Sequence, residues 1–150
     1  YEGDFVTKNM TEAARYFKMG ADQEHVQSLF MYGIMLFEGD GIQINKIEAA
    51  RYLKLACDKG HAKSTYHYGY MLYTGDGIPK NLKEAARYLK MGAERRYPSS
   101  MFHYGRMLLI GEGVPMNIME GMRLIQEAAN LGSMDAQFFL SSYLLGNSLY

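Results

Sequence analysis

The sequence predicts an all-α protein, an α/α superhelix (solenoid) built from 36-residue helix-loop-helix repeats. Two observations carry this. First, Gly33, Gly69 and Gly105 stand 36 residues apart, as do Asn9, Asn45, Asn81 and Asn117, and Glu12, Glu48, Glu84 and Glu120. Second, residues 25–60 laid on 61–96 agree at 18 of 36 positions, and 61–96 laid on 97–132 agree at 13. A fixed period of this length marks stacked supersecondary units, none of which can bury its apolar face alone.

The period divides the chain into a partial repeat at 1–24, whole repeats at 25–60, 61–96 and 97–132, and a second partial repeat at 133–150. All are expected to form a single solenoid domain. The repeat phase starts and stops inside a unit, and the chain starts at Tyr1 without an initiator Met. The expectation is therefore a piece of a longer array.

Each repeat reads as two helices. The first is expected at 26–38, with equivalents at 62–74, 98–110 and 134–146. Ser28, Phe30, Tyr32, Gly33, Met35 and Leu36 recur at helical rather than alternating spacing. A glycine in mid-helix costs about 1 kcal/mol against alanine. Its recurrence at 33, 69 and 105 implies close approach of neighbouring helices. Next come Gly39-Asp40-Gly41, Gly75-Asp76-Gly77 and Gly111-Glu112-Gly113. Paired glycines permit positive φ and a sharp reversal.

The second helix starts after Asn45, with Glu48 three residues on, the spacing of a capping box. Asn9/Glu12, Asn81/Glu84 and Asn117/Glu120 repeat the pair. Ala49, Ala50, Tyr52, Leu53 and Ala56 are expected to face inward. Gly60 and Gly132 stand past the helix end, where a left-handed residue is often needed. Arg96 holds that place in another repeat, so its turn is expected to differ.

Composition narrows the function. Sixteen Lys plus Arg balance sixteen Asp plus Glu. A neutral chain lacks the field that nucleic-acid binding needs, so no nucleic-acid partner is expected. No stretch nears the roughly 18 continuous apolar residues of a membrane span. The single Cys57 excludes an internal disulfide and a Cys-rich zinc site. It aligns with Ala21, Ala93 and Ala129, which predicts a tight, inert packing site.

The residues now on the page resemble the Sel-one-like repeat family, relatives of the tetratricopeptide repeat. The resemblance rests on Tyr32-Gly33-x-Met35-Leu36-x-x-Gly39-x-Gly41-Ile42, then Asn45-x-x-Glu48-Ala49-x-x-Tyr52 and Ala56. It covers essentially the whole chain. The 34-residue tetratricopeptide pattern lacks the two extra residues and the Gly-x-Gly loop. Tyr16, Tyr52, Tyr88 and Leu124 stand where the family usually has tryptophan, and Ser141 replaces the helix glycine. The resemblance implies a superhelix whose first helices line a concave face, and adaptors that assemble protein complexes. It also implies an alternative, a recruiting arm of a larger enzyme such as a kinase. A secreted branch linked to β-lactam binding or hydrolysis carries paired cysteines, which this chain lacks, so a hydrolase-like role ranks last.

Positions that vary between repeats while sharing a helix face are the recognition candidates. On the first helices they are Gln27, Met31, Ile34 and Glu38, then Lys63, His67, Tyr70 and Thr74, then Ser99, His103, Arg106 and Ile110. The last partial repeat adds Asp135, Phe139 and Ser142. Spacings of four, three and four keep each set on one face. Met, Tyr, Phe and Arg suit interface cores. The strip is expected to bind a peptide, a helix or a protein surface.

Competing chemistries are weaker. His67 and His103 are equivalent, as are His25 and His61, but no third ligand joins either pair, so no metal is expected. Arg15, Arg51, Arg87 and Arg123 suggest an anion strip, yet each follows a glutamate by three residues and pairing explains it better. The Gly-Asp-Gly loops lack both the phosphate-loop and the calcium-loop pattern. No nucleophile-base pair stands out, so no catalytic residue and no cofactor is expected. Phe138, Phe139, Leu140, Tyr143, Leu144 and Leu145 make the C-terminal piece apolar, which predicts end-to-end self-association or further repeats.

Overall fold

The computed structural model describes residues 2–148. Tyr1, and with it the start of the 1–24 piece, lies outside the described residues, as do residues 149 and 150. Among the described residues the secondary structure is eight α-helices: α1 (Glu2–Asp22), α2 (Val26–Glu38), α3 (Lys46–Asp58), α4 (Ala62–Thr74), α5 (Leu82–Glu94), α6 (Pro98–Ile110), α7 (Ile118–Asn130) and α8 (Met134–Ser148). The fold is an all-α solenoid, and α2, α4 and α6 start and stop where the period places them.

The helices gather into two compact units, residues 1–80 and 81–150. In the first, Leu29, Phe30, Tyr32, Ala49, Leu53 and Ala56 form the core, with Met71 from α4 packed on it. Tyr32 meets Tyr52 edge-on at 4.9 Å between ring centroids. In the second, Tyr88, Leu89, Met101, Met107 and Ile125 are fully buried. The inward residues of the second helix are those the pattern names, and Cys57 is fully buried among them.

The start of each second helix is set by its asparagine. Asn45, Asn81 and Asn117 accept the backbone N–H of Glu48, Glu84 and Glu120 at 3.1 Å. The loop before it closes on the first helix: Asn45 N–H donates to Leu36 O at 2.9 Å, and Asn117 N–H to Leu108 O at 2.8 Å. Gly41 explains the second loop glycine. It has φ 73°, and a Cβ there would overlap the Met10 backbone. The helix glycine likewise marks close approach. A Cβ on Gly105 would lie 2.9 Å from Gly121 O and 2.9 Å from Ile125 Cγ1.

Two expectations fail. Asn9 is no cap, because α1 runs unbroken from Glu2 to Asp22. Phe5 stands at the place of Gly41, so the left-handed turn has lost its second glycine. The Thr7 and Thr11 hydroxyls instead bond back to Gly3 O at 2.9 Å and Thr7 O at 3.0 Å, as helical threonines do. Nor does the turn at Arg96 differ. Arg96 takes φ 59°, and Glu24 takes φ 58°. Arg96 N–H reaches Ala93 O at 3.0 Å and Tyr97 N–H reaches Gly92 O at 3.0 Å, as Gly60 and His61 do on Cys57 and Ala56. The hydrogen-bond pattern fixes this turn, and the side chain accepts the strain.

Candidate functional site

The first-helix starts have caps of their own, which the 36-residue pattern of asparagines does not announce. His25 and His61 accept the N–H of Ser28 and Ser64 through Nδ1, at 3.4 and 3.3 Å. His-x-x-Ser is the signal: an acceptor three residues ahead of a small polar partner, as in other caps. Ser133 does the same for α8, accepting the Ala136 N–H at 3.2 Å. Tyr97 has no such bond, and Pro98 follows it, a residue that suits the first helical turn.

Five strip residues of the first unit come together. Ile34 and Glu38 of α2 and His67, Tyr70 and Thr74 of α4 line one groove of about 320 Å³. Phe37, Leu53, Tyr66, Met71 and Asp76 complete it. Tyr66 and Tyr70 lie 5.8 Å apart by ring centroids, and Tyr70 keeps 41% of its surface exposed. Lys46 from the start of α3 reaches the same region, 2.8 Å from Asp76 and 5.0 Å from the Phe37 centroid.

The electrostatics are uneven. Asp40 hydrogen-bonds Glu38 and, with partial burial, raises it above the usual carboxylate range. Burial pushes His67 down to about 4, with the Lys63 charge adding to it, so its ring is neutral near pH 7. That ring packs 5.5 Å from Phe30 and 5.1 Å from Tyr66.

The other strip residues of this unit lie outside the groove. Gln27 faces His61 Nε2 through Oε1 at 3.2 Å. Met31 packs on the core, and the Lys63 ammonium lies 5.4 Å from the Phe30 centroid. In the second unit the strip gathers around Phe102. Arg106 lies 5.7 Å from that ring, His103 5.1 Å and Phe139 6.1 Å. Burial lowers His103 to about 4, as it does His67. Ser99 hydrogen-bonds Tyr97 and is half-buried, while Ile110 is exposed.

Tyr66, Phe37 and Asp76 were missed for one reason. Their repeat equivalents keep the same character, as Tyr66 does with Phe30 and Phe102, and constancy of this kind is indistinguishable from a structural requirement. A second recess of about 320 Å³, lined by Lys90, Glu94, Tyr104, Asn117, Arg123 and Leu124 among others, was missed as well. Leu124 was its signal: it stands where Tyr52 and Tyr88 supply a ring.

The arginine ladder resolves into local pairs. Glu12–Arg15, Glu48–Arg51 and Glu84–Arg87 close at 3.1, 2.8 and 3.2 Å, and Arg123 Nε meets Glu120 at 2.9 Å. Arg15, Arg51 and Arg87 also cover Tyr16, Tyr52 and Tyr88 at 4.4–4.6 Å, a cation–π contact that the adjacent Arg-Tyr could have suggested. Among the described residues no three His, Cys, Asp or Glu side chains converge to hold a metal, and no helix is long and apolar enough to cross a membrane.

Known proteins share this design. The Sel1 repeat pattern matches residues 1–25, 26–61, 62–97 and 98–133. The structure is similar to a Sel1 repeat protein from Oxalobacter formigenes, at 25% identity and a TM-score of 0.76, covering 85% of this chain and 96% of that one. It is also similar to c5321, a protective antigen of uropathogenic Escherichia coli with an SLR fold, at 26% identity and a TM-score of 0.83. There the match covers 93% of this chain and 30% of c5321. Helicobacter pylori cysteine rich protein B shares the fold, at 22% identity and a TM-score of 0.69, covering 89% of this chain and 96% of that one. No curated protein matches the chain. Proteins built on this repeat are generally non-catalytic scaffolds for protein interaction. With the Sel1 repeat pattern matching four successive stretches, and with paired helices, Gly-x-Gly loops and asparagine caps in the three whole repeats, the chain belongs to the Sel1 repeat family.

Proposed function

We propose that the chain is a non-enzymatic adaptor that holds a peptide, a helix or a protein surface on the face of its first helices. One observation carries this reading. Ile34, Glu38, His67, Tyr70 and Thr74 vary between repeats, yet they share a single groove. Stacking sets these first-helix faces side by side, so one partner would meet their variable side chains together. Aromatic and methionine walls suit an interface core, and an extended face is what stacked repeats offer. In the second unit, Arg106, Ile110 and Phe139 serve the same use. His67 is neutral and lodged against Phe30, which favours packing over acid-base work.

The adaptor reading is tested by quantitative pull-down with the wild-type chain, Tyr70→Ala, Arg106→Ala and Arg15→Ala, after equal helicity is established. Partners retained by Arg15→Ala and lost by Tyr70→Ala or Arg106→Ala support it. Partners lost only by Arg15→Ala move recognition to the second helices.

The exposed face of α8 favours a second contact, between copies of the chain. Met134, Phe138, Leu144 and Leu145 are 80%, 76%, 64% and 66% exposed. Exposed apolar surface of this kind marks association sites. Sizing with light scattering tests it: a dimer that Phe138→Ser returns to monomer supports self-association, and a wild-type monomer at high micromolar concentration contradicts it.

A further inference from the structure

The groove between α2 and α4 carries a chemical preference, an inference that rests on its being a contact face. Its floor is apolar, with Ile34 and Met71. Its edge is acidic. Glu38 and Asp76 both line it, and Asp40 stands against Glu38. Lys46 already answers Asp76 at 2.8 Å. Asp40 hydrogen-bonds Glu38, which sets two carboxylates side by side at that end, where a cation would meet both. His67 brings no positive charge near pH 7, because burial keeps it neutral.

The chain also displays the kind of contact this edge makes. The Lys46 ammonium sits near the Phe37 ring and bonds to a carboxylate. Glu38 and the exposed ring of Tyr70 offer the same two groups within the same groove. A cation between an aromatic face and a carboxylate is favoured by both. An acidic peptide would meet like charge. About 320 Å³ lies at the small end of ligand sites, which suits one or two side chains of an extended segment.

We propose that the groove takes a short partner peptide with an arginine or lysine beside a bulky apolar residue. The apolar side chain rests on Ile34 and Met71, and the cation sits between Tyr70 and Glu38.

The test uses leucine-flanked, capped pentapeptides whose central residue is arginine, norleucine or glutamate. Affinities are read by titration calorimetry on the wild-type chain, Glu38→Gln, Tyr70→Phe and Tyr70→Ala, with Met119→Ser, exposed on α7 and outside the strip, as a second-unit control. The arginine peptide is expected to bind wild type roughly tenfold tighter than norleucine, from one cation–π and one ion-pair contact. Glutamate is expected to bind weakest. Glu38→Gln brings arginine and norleucine within about twofold, and Tyr70→Phe keeps the preference that Tyr70→Ala weakens. Norleucine binding as tightly as arginine, with Tyr70→Ala still reducing both, overturns the cation preference and leaves the groove as a contact face. No binding, or binding that no α2 or α4 substitution alters, overturns both.

Discussion

His61 Nε2 lies 3.2 Å from Gln27 Oε1, which ties the start of α4 to the start of α2. The amide oxygen accepts, so Nε2 carries the proton. Nδ1 is then the acceptor that caps α4 at Ser64. The imidazole is useful only while neutral, and burial lowers its pKa in that direction.

Acidification should therefore destabilise the protein before most carboxylates titrate. His61 is held below its ordinary value, and His67 and His103 fall to about 4. The unfolded chain takes up these protons near about pH 6.5. Stability is present above that pH and is lost as the pH falls toward 4. At pH 5 the loss is on the order of 2 kcal/mol each for His67 and His103. Glu38, raised by Asp40, acts in the opposite sense, so the clean comparison is made in Glu38→Gln. Thermal melts at pH 7 and pH 5 check this. His67→Gln with His103→Gln should flatten the dependence, and a Tm that rises toward pH 5 contradicts it.

Equivalent asparagines should differ in energetic weight. Asn81→Ala removes a side-chain acceptor at 3.1 Å from Glu84 N–H and should cost about 1 kcal/mol. Asn9→Ala should cost nothing or stabilise slightly, since Asn9 is inside α1 and alanine is the better helix former. Denaturation midpoints of the two variants decide it. Equal losses would mean that α1 breaks at Asn9.

The helix glycine is predicted to be intolerant where it meets backbone. In Gly105→Ala the new methyl lies 2.9 Å from Gly121 O, which can yield only if α6 and α7 separate. The strain of overpacking should exceed the gain in helix propensity and leave a net loss of about 1–2 kcal/mol. Gly33→Ala meets the Leu53 side chain, which can turn aside, so its loss should be smaller. Urea midpoints rank the two.

Arg96→Gly should stabilise. Arg96 sits at φ 59°, a conformation glycine adopts without a Cβ penalty. The gain should be about 0.5–1 kcal/mol after the unfolded-chain entropy of glycine is subtracted. The Arg96–Glu127 pair at 3.3 Å is exposed, and its loss costs little. A lowered Tm for this variant would show that the ion pair outweighs the strain.

The fold was legible because its signals repeat. Asn45, Asn81 and Asn117 confirm one another, and no single cap needs to be trusted alone. Repetition misleads where a repeat is only partly kept. Asn9 retains the cap residue while Phe5 has lost the glycine, and a helix end needs both. It misleads in the other sense at Arg96, where a changed residue leaves the backbone unchanged. The groove was legible in part. Variable Ile34, Glu38, His67, Tyr70 and Thr74 were marked by their variation. Tyr66 and Phe37 serve packing and groove together, so constancy hid them. Distances across α2 and α4, such as His61 to Gln27, depend on how successive helices pack, and period alone does not set that.

The most direct test of the adaptor account is site-specific photo-crosslinking in cells, with p-benzoyl-phenylalanine placed in turn at Tyr70, Ile110 and Tyr16. All three side chains are exposed, at 41%, 60% and 60%. The account predicts the same crosslinked partner from positions 70 and 110 on first helices, and none from position 16 of α1. A partner crosslinked only from position 16, or equally from all three, would contradict it.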